Sequence, residues 1–194
     1  MADTIVAGVD EAGRGPWAGP VVAAAVMLPL NFSWSGLTDS KKMTKKRRDI
    51  ARNVITQESI AWSIAWSTAE EIDTMNILAA TLLAMKRAVQ GLWVKPKEVL
   101  VDGHMLPDWD YSSKAIIQGD LHCLQISAAS VLAKTFRDDL LHVYDHVYPG
   151  YGFANHKGYG TKEHQQALQK LGPCKAHRKS FAPVRRCLEV MACN

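Results

Sequence analysis

Thr4 to Asp10, TIVAGVD, runs without a break into Glu11-Ala12-Gly13-Arg14-Gly15-Pro16, and a second apolar run, VVAAAVML, follows from Val21 to Leu28. Both runs read as short strands, the second rich in small and β-branched residues. Gly13, Gly15, Pro16, Gly19 and Pro20 mark a tight connection between them, so the two strands are expected to pair antiparallel. Working outward, Lys45 to Glu58 has helical composition with Ile50 and Val54 on one face. Ile60 to Ser67 alternates Ile60, Trp62, Ile64 and Trp66 against Ala61, Ser63, Ala65 and Ser67, which is the strand period. Met75, Leu78, Leu82, Met85 and Val89 recur at helical spacing and form an apolar stripe, and the Met and Trp residues read as core packing. Glu98 to Asp102 and Ala115 to Ile117 read as a fourth and fifth strand. Ile126 to His142 reads as a long helix whose Ser127-Ala128-Ala129-Ser130 start allows close approach to a sheet. A helix is expected from about Thr161, its N-cap, and a last short one from near Pro183. Three early strands followed by alternating helices and strands predict an α/β layer fold with a mixed sheet.

The 194 residues suit one domain, 1–194, and at 47% hydrophobic and 22% charged the chain reads as ordinary globular protein. Its most apolar segment starts at Val21 and is ended by Pro29, well short of the roughly 20 residues of a membrane span, and no secretory signal is visible. Cys123, Cys174, Cys187 and Cys193 form no C-x-x-C pair, which argues against a disulfide framework or structural zinc. A reducing cytoplasm is the expected compartment and a monomer the default. The net charge of +4 decides nothing, but its distribution is uneven. Lys41 to Arg52 holds seven Lys or Arg against Asp49 alone, and Lys157 onward holds eight against Glu163 and Glu189. These regions read either as flanks gripping a polyanion or, more blandly, as a solvated helix face and a tail.

Among the acids, position singles out a few. Asp10 and Glu11 end the first strand, Asp102 ends the fourth before Gly103, and Asp120 follows Gly119 just after the fifth. A carboxylate beside buried surface is unfavourable unless it is hydrogen-bonded, paired or bound to a cation. Neighbouring strand residues face opposite sides, so Asp10 and Glu11 are expected to share a site through a turn of the backbone there. Oxygen-only ligands select Mg²⁺ or Mn²⁺ over zinc, and a pair of such ions about 3.5–4 Å apart can clamp both oxygens of an in-line phosphoryl displacement. Rival motifs fail: His142 and His146 lack the glutamate of a zinc protease helix, and Gly13-Arg14-Gly15 is followed by Ala18 where a dinucleotide fingerprint needs glycine.

The stretch Val9-Asp10-Glu11-Ala12-Gly13-Arg14-Gly15-Pro16 resembles the opening signature of the type 2 ribonucleases H. Further blocks follow in that family's order: Asp39-Ser40-Lys41-Lys42, Asp102-Gly103, Gly119-Asp120, Ser127 to Lys134 with Arg137-Asp138, Tyr151-Gly152-Phe153, His156-Lys157-Gly158-Tyr159, and Arg178-Lys179-Ser180-Phe181. They cover nearly the whole chain, whose compact length resembles the bacterial form. The resemblance implies a ribonuclease H-like mixed five-stranded sheet flanked by helices, with a helical, substrate-binding C-terminal extension over about 145–194. It implies that Asp10, Glu11, Asp102 and Asp120 bind two Mn²⁺ or Mg²⁺ ions. It implies that Gly13, Arg14 and Gly15 read the 2′-hydroxyl, and that Tyr159, otherwise a plain loop tyrosine, stacks under a sugar. Lys42, Lys157, Arg178 and Ser180 become candidate phosphate contacts, and Asp138 a helix-surface or supporting residue. The implied activity is endonucleolytic cleavage 5′ of a ribonucleotide in RNA–DNA hybrids or ribonucleotide-containing duplex DNA, leaving 3′-hydroxyl and 5′-phosphate ends and removing misincorporated ribonucleotides. A non-catalytic hybrid-binding module and another nuclease of the superfamily are the alternatives.

Overall fold

A computed structural model describes residues 5–34, 40 and 43–193. Its sheet has five strands, β1 (Val6–Ala12), β2 (Val21–Met27), β3 (Ala61–Ser67), β4 (Glu98–Asp102) and β5 (Ser113–Ile116), in the spatial order β3-β2-β1-β4-β5. β1 pairs antiparallel with β2, and β2 antiparallel with β3, while β4 runs parallel to both β1 and β5. The mixed sheet expected from the order of elements is therefore present.

β2 explains why the sheet needs helices on both sides. All seven of its residues are buried. Val22, Ala24 and Val26 pack with Ala51 and Ile55 of α1 (Lys45–Glu58) and with Ala128, Ala129 and Leu132 of α5 (Leu124–Val147). Val21, Ala23 and Ala25 pack on the opposite face with Ile72 of α2 (Ala69–Met75) and Ala80, Ala84, Met85 and Ala88 of α3 (Ile77–Gln90). A strand covered on both faces shows no polar alternation. The helical stripe expected from Met75 to Val89 is broken at Asn76, where φ is 74° and the side chain accepts from the N–H groups of Leu78 and Ala79 to start α3.

α5 comes closest to the sheet at its start. A Cβ on Gly8 of β1 would overlap the backbone of Gln125 and Ile126, so the absence of a side chain there lets the helix settle directly over β1. Beyond α5 lie α6 (Phe153–His156), α7 (Lys162–Leu171) and α8 (Ala182–Ala192). α6 and α7 gather around Ala18, Leu141, Tyr151, Phe153 and Ala176, which places them on the β1–β2 connection, and α8 lies against α7, where the Cys187 thiol donates to the Leu168 carbonyl at 3.3 Å. Among the described residues no helix is long and apolar enough to cross a membrane.

Candidate active site

Strand register brings the first acids together. β1 and β4 are paired as far as Val9 and Val101, so one residue further Asp10 and Asp102 stand side by side on the same face. No turn occurs between Asp10 and Glu11, because β1 keeps its pairing with β2 through Glu11↔Ala23 and Ala12↔Val22. Glu11 therefore leaves the other face. β4 ends at Asp102, which leaves an open edge past which the longer Glu11 side chain reaches, and one oxygen from each of Asp10, Glu11 and Asp102 falls within 4.8 Å of the others. Asp120 is not in that trio. It lies in the first turn of α4 (Gly119–His122) rather than at a strand end, and the preceding Gly119 N–H donates to Asp102 Oδ1 at 2.8 Å.

Asp10 is buried, and its carboxyl is held well above the ordinary carboxylate range, first by burial and then by the charges of Glu11 and Asp102. Hydrogen bonds from Ser130 of α5 and from the Glu11 N–H, 2.7 Å from Oδ1, act in the opposite direction. Ser130 is in turn 2.7 Å from the Ser40 hydroxyl. A buried carboxyl crowded by two others is the donor set that a hard divalent cation satisfies, and the residues present fit such an ion.

Beside the acids lies a cleft of about 220 Å³ lined by Glu11, Gly13, Arg14, Gly15, Lys134 and Tyr159 among others. Gly13, Arg14 and Gly15 line it, and the Gly13–Pro20 connection they begin is held from beneath by two buried arginines. Arg178 donates to the carbonyls of Gly13 (2.6 Å), Arg14 (2.9 Å) and Gly19 (2.9 Å). Arg137 donates to those of Ala18 (3.1 Å), Pro20 (3.1 Å) and Lys157 (3.0 Å). Burial pulls their pKa values down to about 9 and about 10. In a trans peptide C=O and N–H point in opposite directions. With the Gly13 and Arg14 carbonyls turned onto Arg178, the N–H groups of Arg14 and Gly15 point away from it. Tyr159 is 46% exposed, and its ring faces Gly15, where a Cβ would lie 3.8 Å from Cε1.

The basic candidates fare differently. Arg178 is 0% exposed, so the phosphate contact expected of it is corrected: its guanidinium is committed to the loop carbonyls. The Ser180 hydroxyl donates to Asp73 Oδ1 at 2.6 Å, which leaves it only acceptor capacity, the wrong sense for a phosphate oxygen. Lys157 Nζ lies 2.9 Å from His142 Nε2 and donates to the Ala154 carbonyl, so two of its three N–H directions are taken. Lys42 lies outside the described residues. Asp138 is buried rather than on the helix surface, bridging Lys134 (2.8 Å) and Arg48 (3.5 Å). Sequence reasoning assigned no role to Ser130, Lys134 or Arg137. All three fall within the Ser127-to-Asp138 blocks, and a helical wheel anchored on Ser130 places Lys134 and Arg137 one and two turns further along the same side.

Behind Tyr159 three buried histidines pack together: His156 and His164 stack with centroids 4.4 Å apart, and His164 Nε2 is 3.0 Å from His177 Nε2. Burial pulls His164 and His177 down to about 4. Their folded pKa lies below the unfolded value of about 6.5, so the unfolded chain takes up protons first as the pH falls. Their contribution is complete above about pH 6.5 and is lost as pH falls through about 4. Urea melts of the Asp10→Asn variant between pH 7 and 5, where the raised Asp10 carboxyl no longer adds an opposite slope and most other carboxylates do not titrate, are expected to show stability falling by about 1.4 kcal/mol per pH unit for each histidine once below 6.5. A flat profile across that window contradicts neutral buried imidazoles.

The fold and site together are a mixed five-stranded α/β sheet with a carboxylate cluster at the ends of β1 and β4, a donor set suited to a hard divalent cation. The family model described as Ribonuclease HII matches residues 7–184. A Ribonuclease HII of Neisseria meningitidis serogroup C is 51% identical over 185 residues, covering 95% of each chain. One from Paracidovorax citrulli is 56% identical over 180 residues, 93% of this chain and 75% of that one. The crystal structure of ribonuclease H2 from Pyrococcus horikoshii OT3 shares the fold, with a TM-score of 0.80 at 24% identity over 97% of this chain and 99% of that one. The chain belongs to the ribonuclease HII family and is a ribonuclease H, a hydrolase.

Proposed function

We propose that the enzyme hydrolyses the phosphodiester on the 5′ side of a ribonucleotide, in RNA–DNA hybrids and in duplex DNA containing ribonucleotides, leaving 3′-hydroxyl and 5′-phosphate ends, and that it removes misincorporated ribonucleotides. The observation that carries this reading is adjacency: the Asp10–Glu11–Asp102 cluster opens onto the cleft that Gly13, Gly15 and Tyr159 line.

Asp10, Glu11 and Asp102 would hold Mg²⁺ or Mn²⁺, with Asp120, next to the Gly119–Asp102 bond, as the fourth carboxylate. Two such ions, when bound, lower the pKa of water and offset charge on the leaving oxygen. The protein's own part is selection and placement. A 2′-hydroxyl can accept from the N–H groups that the captured carbonyls leave outward at Arg14 and Gly15, and a deoxyribose offers them nothing. Tyr159 supplies a flat apolar surface opposite Gly15 for the sugar. Exposed Lys45, Lys46 and Arg47 at the start of α1 add positive charge for the phosphate backbone. The helices over about 145–194 act as the substrate-binding extension by holding Tyr159 and the loop.

The deciding experiment is cleavage of a duplex carrying one ribonucleotide, beside the same duplex as all-DNA, in Mg²⁺ and in Mn²⁺ and after chelation. The expected result is a single cut 5′ of the ribonucleotide, none in all-DNA, and none with chelator. Equal cutting of all-DNA would favour another nuclease of the superfamily, and binding without cutting a non-catalytic module.

A further inference from the structure

We infer that His177 and His164 form a proton-ordered hydrogen-bond chain that fixes Tyr159, making both positioning residues for the ribose contact; the inference rests on the role proposed for Tyr159.

The order follows from which groups can only donate or only accept. The Cys174 backbone N–H can only donate, and it lies 3.0 Å from His177 Nδ1, which must accept. The His177 proton is then on Nε2, 3.0 Å from His164 Nε2. His164 accepts there and carries its own proton on Nδ1, 3.0 Å from the Tyr159 carbonyl, which can only accept. One assignment satisfies every member, and it runs in one direction, from Cys174 to Tyr159. The Thr161 N–H, at 2.8 Å, takes the other side of that carbonyl. His156, stacked on His164, holds the residue before Tyr159: its Nδ1 accepts from the Gly158 N–H at 3.2 Å while Nε2 donates to the Tyr151 carbonyl at 2.8 Å.

Burial keeps His164 and His177 neutral, with pKa values of about 4, and neutrality is what the chain requires. Protonating His164 would set two N–H groups face to face across the 3.0 Å contact with His177, and protonating His177 would do the same across the 3.0 Å contact with the Cys174 N–H. The chain also joins the two walls of the cleft. His177 forms an isolated bridge with Ala18, and the next residue, Arg178, donates its N–H to the Trp17 carbonyl at 2.8 Å. The Tyr159 wall and the Gly13–Pro20 connection are thus held from one buried segment. Outside this support the ring itself is half exposed and faces Gly15 across the cleft. A buried, fully satisfied polar chain specifies one arrangement of the groups it connects.

The test uses the full chain and the single-ribonucleotide duplex, with kcat and KM measured for His164→Phe, His164→Asn and His164→Gln, each alone and combined with Tyr159→Ala, and with melting curves for all. The Asn amide sits where Nδ1 was and keeps the bond to Tyr159, whereas the Gln amide sits where Nε2 was and loses it. The expected result is a roughly tenfold fall in kcat/KM for His164→Phe and His164→Gln, as partial misplacement of a contact residue produces. His164→Asn should stay within about threefold of wild type. In the Tyr159→Ala background the further fall should be less than about twofold, because residues acting through one another are not additive. If His164→Phe does not fold, the Asn and Gln pair carries the comparison. Additive losses, or equal activity of the Asn and Gln variants, overturn the inference while leaving the site's reading intact. Wild-type turnover by Tyr159→Ala alone overturns the role of Tyr159 itself and the inference with it.

Discussion

Asp10→Asn is expected to lower cleavage by on the order of a thousandfold or more, as loss of a central catalytic group does, and to raise the melting temperature measured without metal. Both effects have one cause. The Asp10 carboxyl is buried beside Glu11 and Asp102, and its pKa is raised. A carboxyl whose folded pKa lies above its unfolded value binds its proton more tightly in the folded state, so at neutral pH its charge opposes folding. The amide removes that charge and keeps the shape. Each kcal/mol recovered corresponds to about 2–4 °C in a chain of this size. Saturating Mg²⁺ should reverse the order of stability, since a ligand that binds only the folded state stabilises the wild type and the variant has lost a donor. Melting curves with and without Mg²⁺ or Mn²⁺, run beside the cleavage assay, check each part. Near-normal turnover in saturating Mg²⁺, or a lower metal-free melting temperature, would refute the role of Asp10.

Gly13→Ala is expected to lower cleavage at a single embedded ribonucleotide about a hundredfold and to destabilise the protein by about 1–3 kcal/mol, whereas Gly15→Ala leaves stability unchanged. Gly13 has φ of 99°, and a Cβ there would overlap Nε of Arg137 and lie 2.5 Å from its Cδ. Arg137 cannot withdraw without releasing the carbonyls of Ala18, Pro20 and Lys157. The alanine must therefore move the loop. Gly15 has no left-handed backbone, and its Cβ would meet only the edge of the Tyr159 ring at ordinary contact distance. Its substitution narrows the cleft without loading the core. Metal binding at Asp102 should persist in both, which calorimetric titration of Mn²⁺ tests. Wild-type cleavage by Gly13→Ala would sink the loop's role in placing the ribose.

Local pattern alone made much of this molecule legible. The β1–β2 hairpin follows from two apolar runs around a Gly- and Pro-rich connection, and β3 from the alternation over Ile60 to Ser67, observed as Ala61–Ser67, although Trp62 and Trp66, read as core, are exposed while Ala61 and Ser67 are buried. Asp10, Glu11 and Asp102 stood out because an acid at the end of an apolar run must be hydrogen-bonded, paired or bound to a cation, and several such acids on one sheet favour the cation. Their gathering follows from the register that sets Val9 beside Val101. How Glu11 joins them did not follow, because it depends on β4 stopping at Asp102 and leaving an edge open.

The basic residues show where local reading ends. Charge and spacing identify Arg178 and Ser180 as polar groups near the end of the chain, and nothing nearby distinguishes a buried arginine from a surface one. Arg178 is a loop clamp because its guanidinium meets the carbonyls of Gly13 and Arg14, 165 and 164 residues away, and Ser180 is engaged because α2 brings Asp73 to it. The sequence by itself determined the layer architecture and marked Asp10, Glu11 and Asp102 as candidates, since both rest on periodicity and on the free energy of burying a charge at a strand end. Only the tertiary structure decided which cations face solvent and which hold the cleft, since a buried guanidinium is stable only where distant backbone carbonyls converge on it, and that convergence is a property of the packed chain.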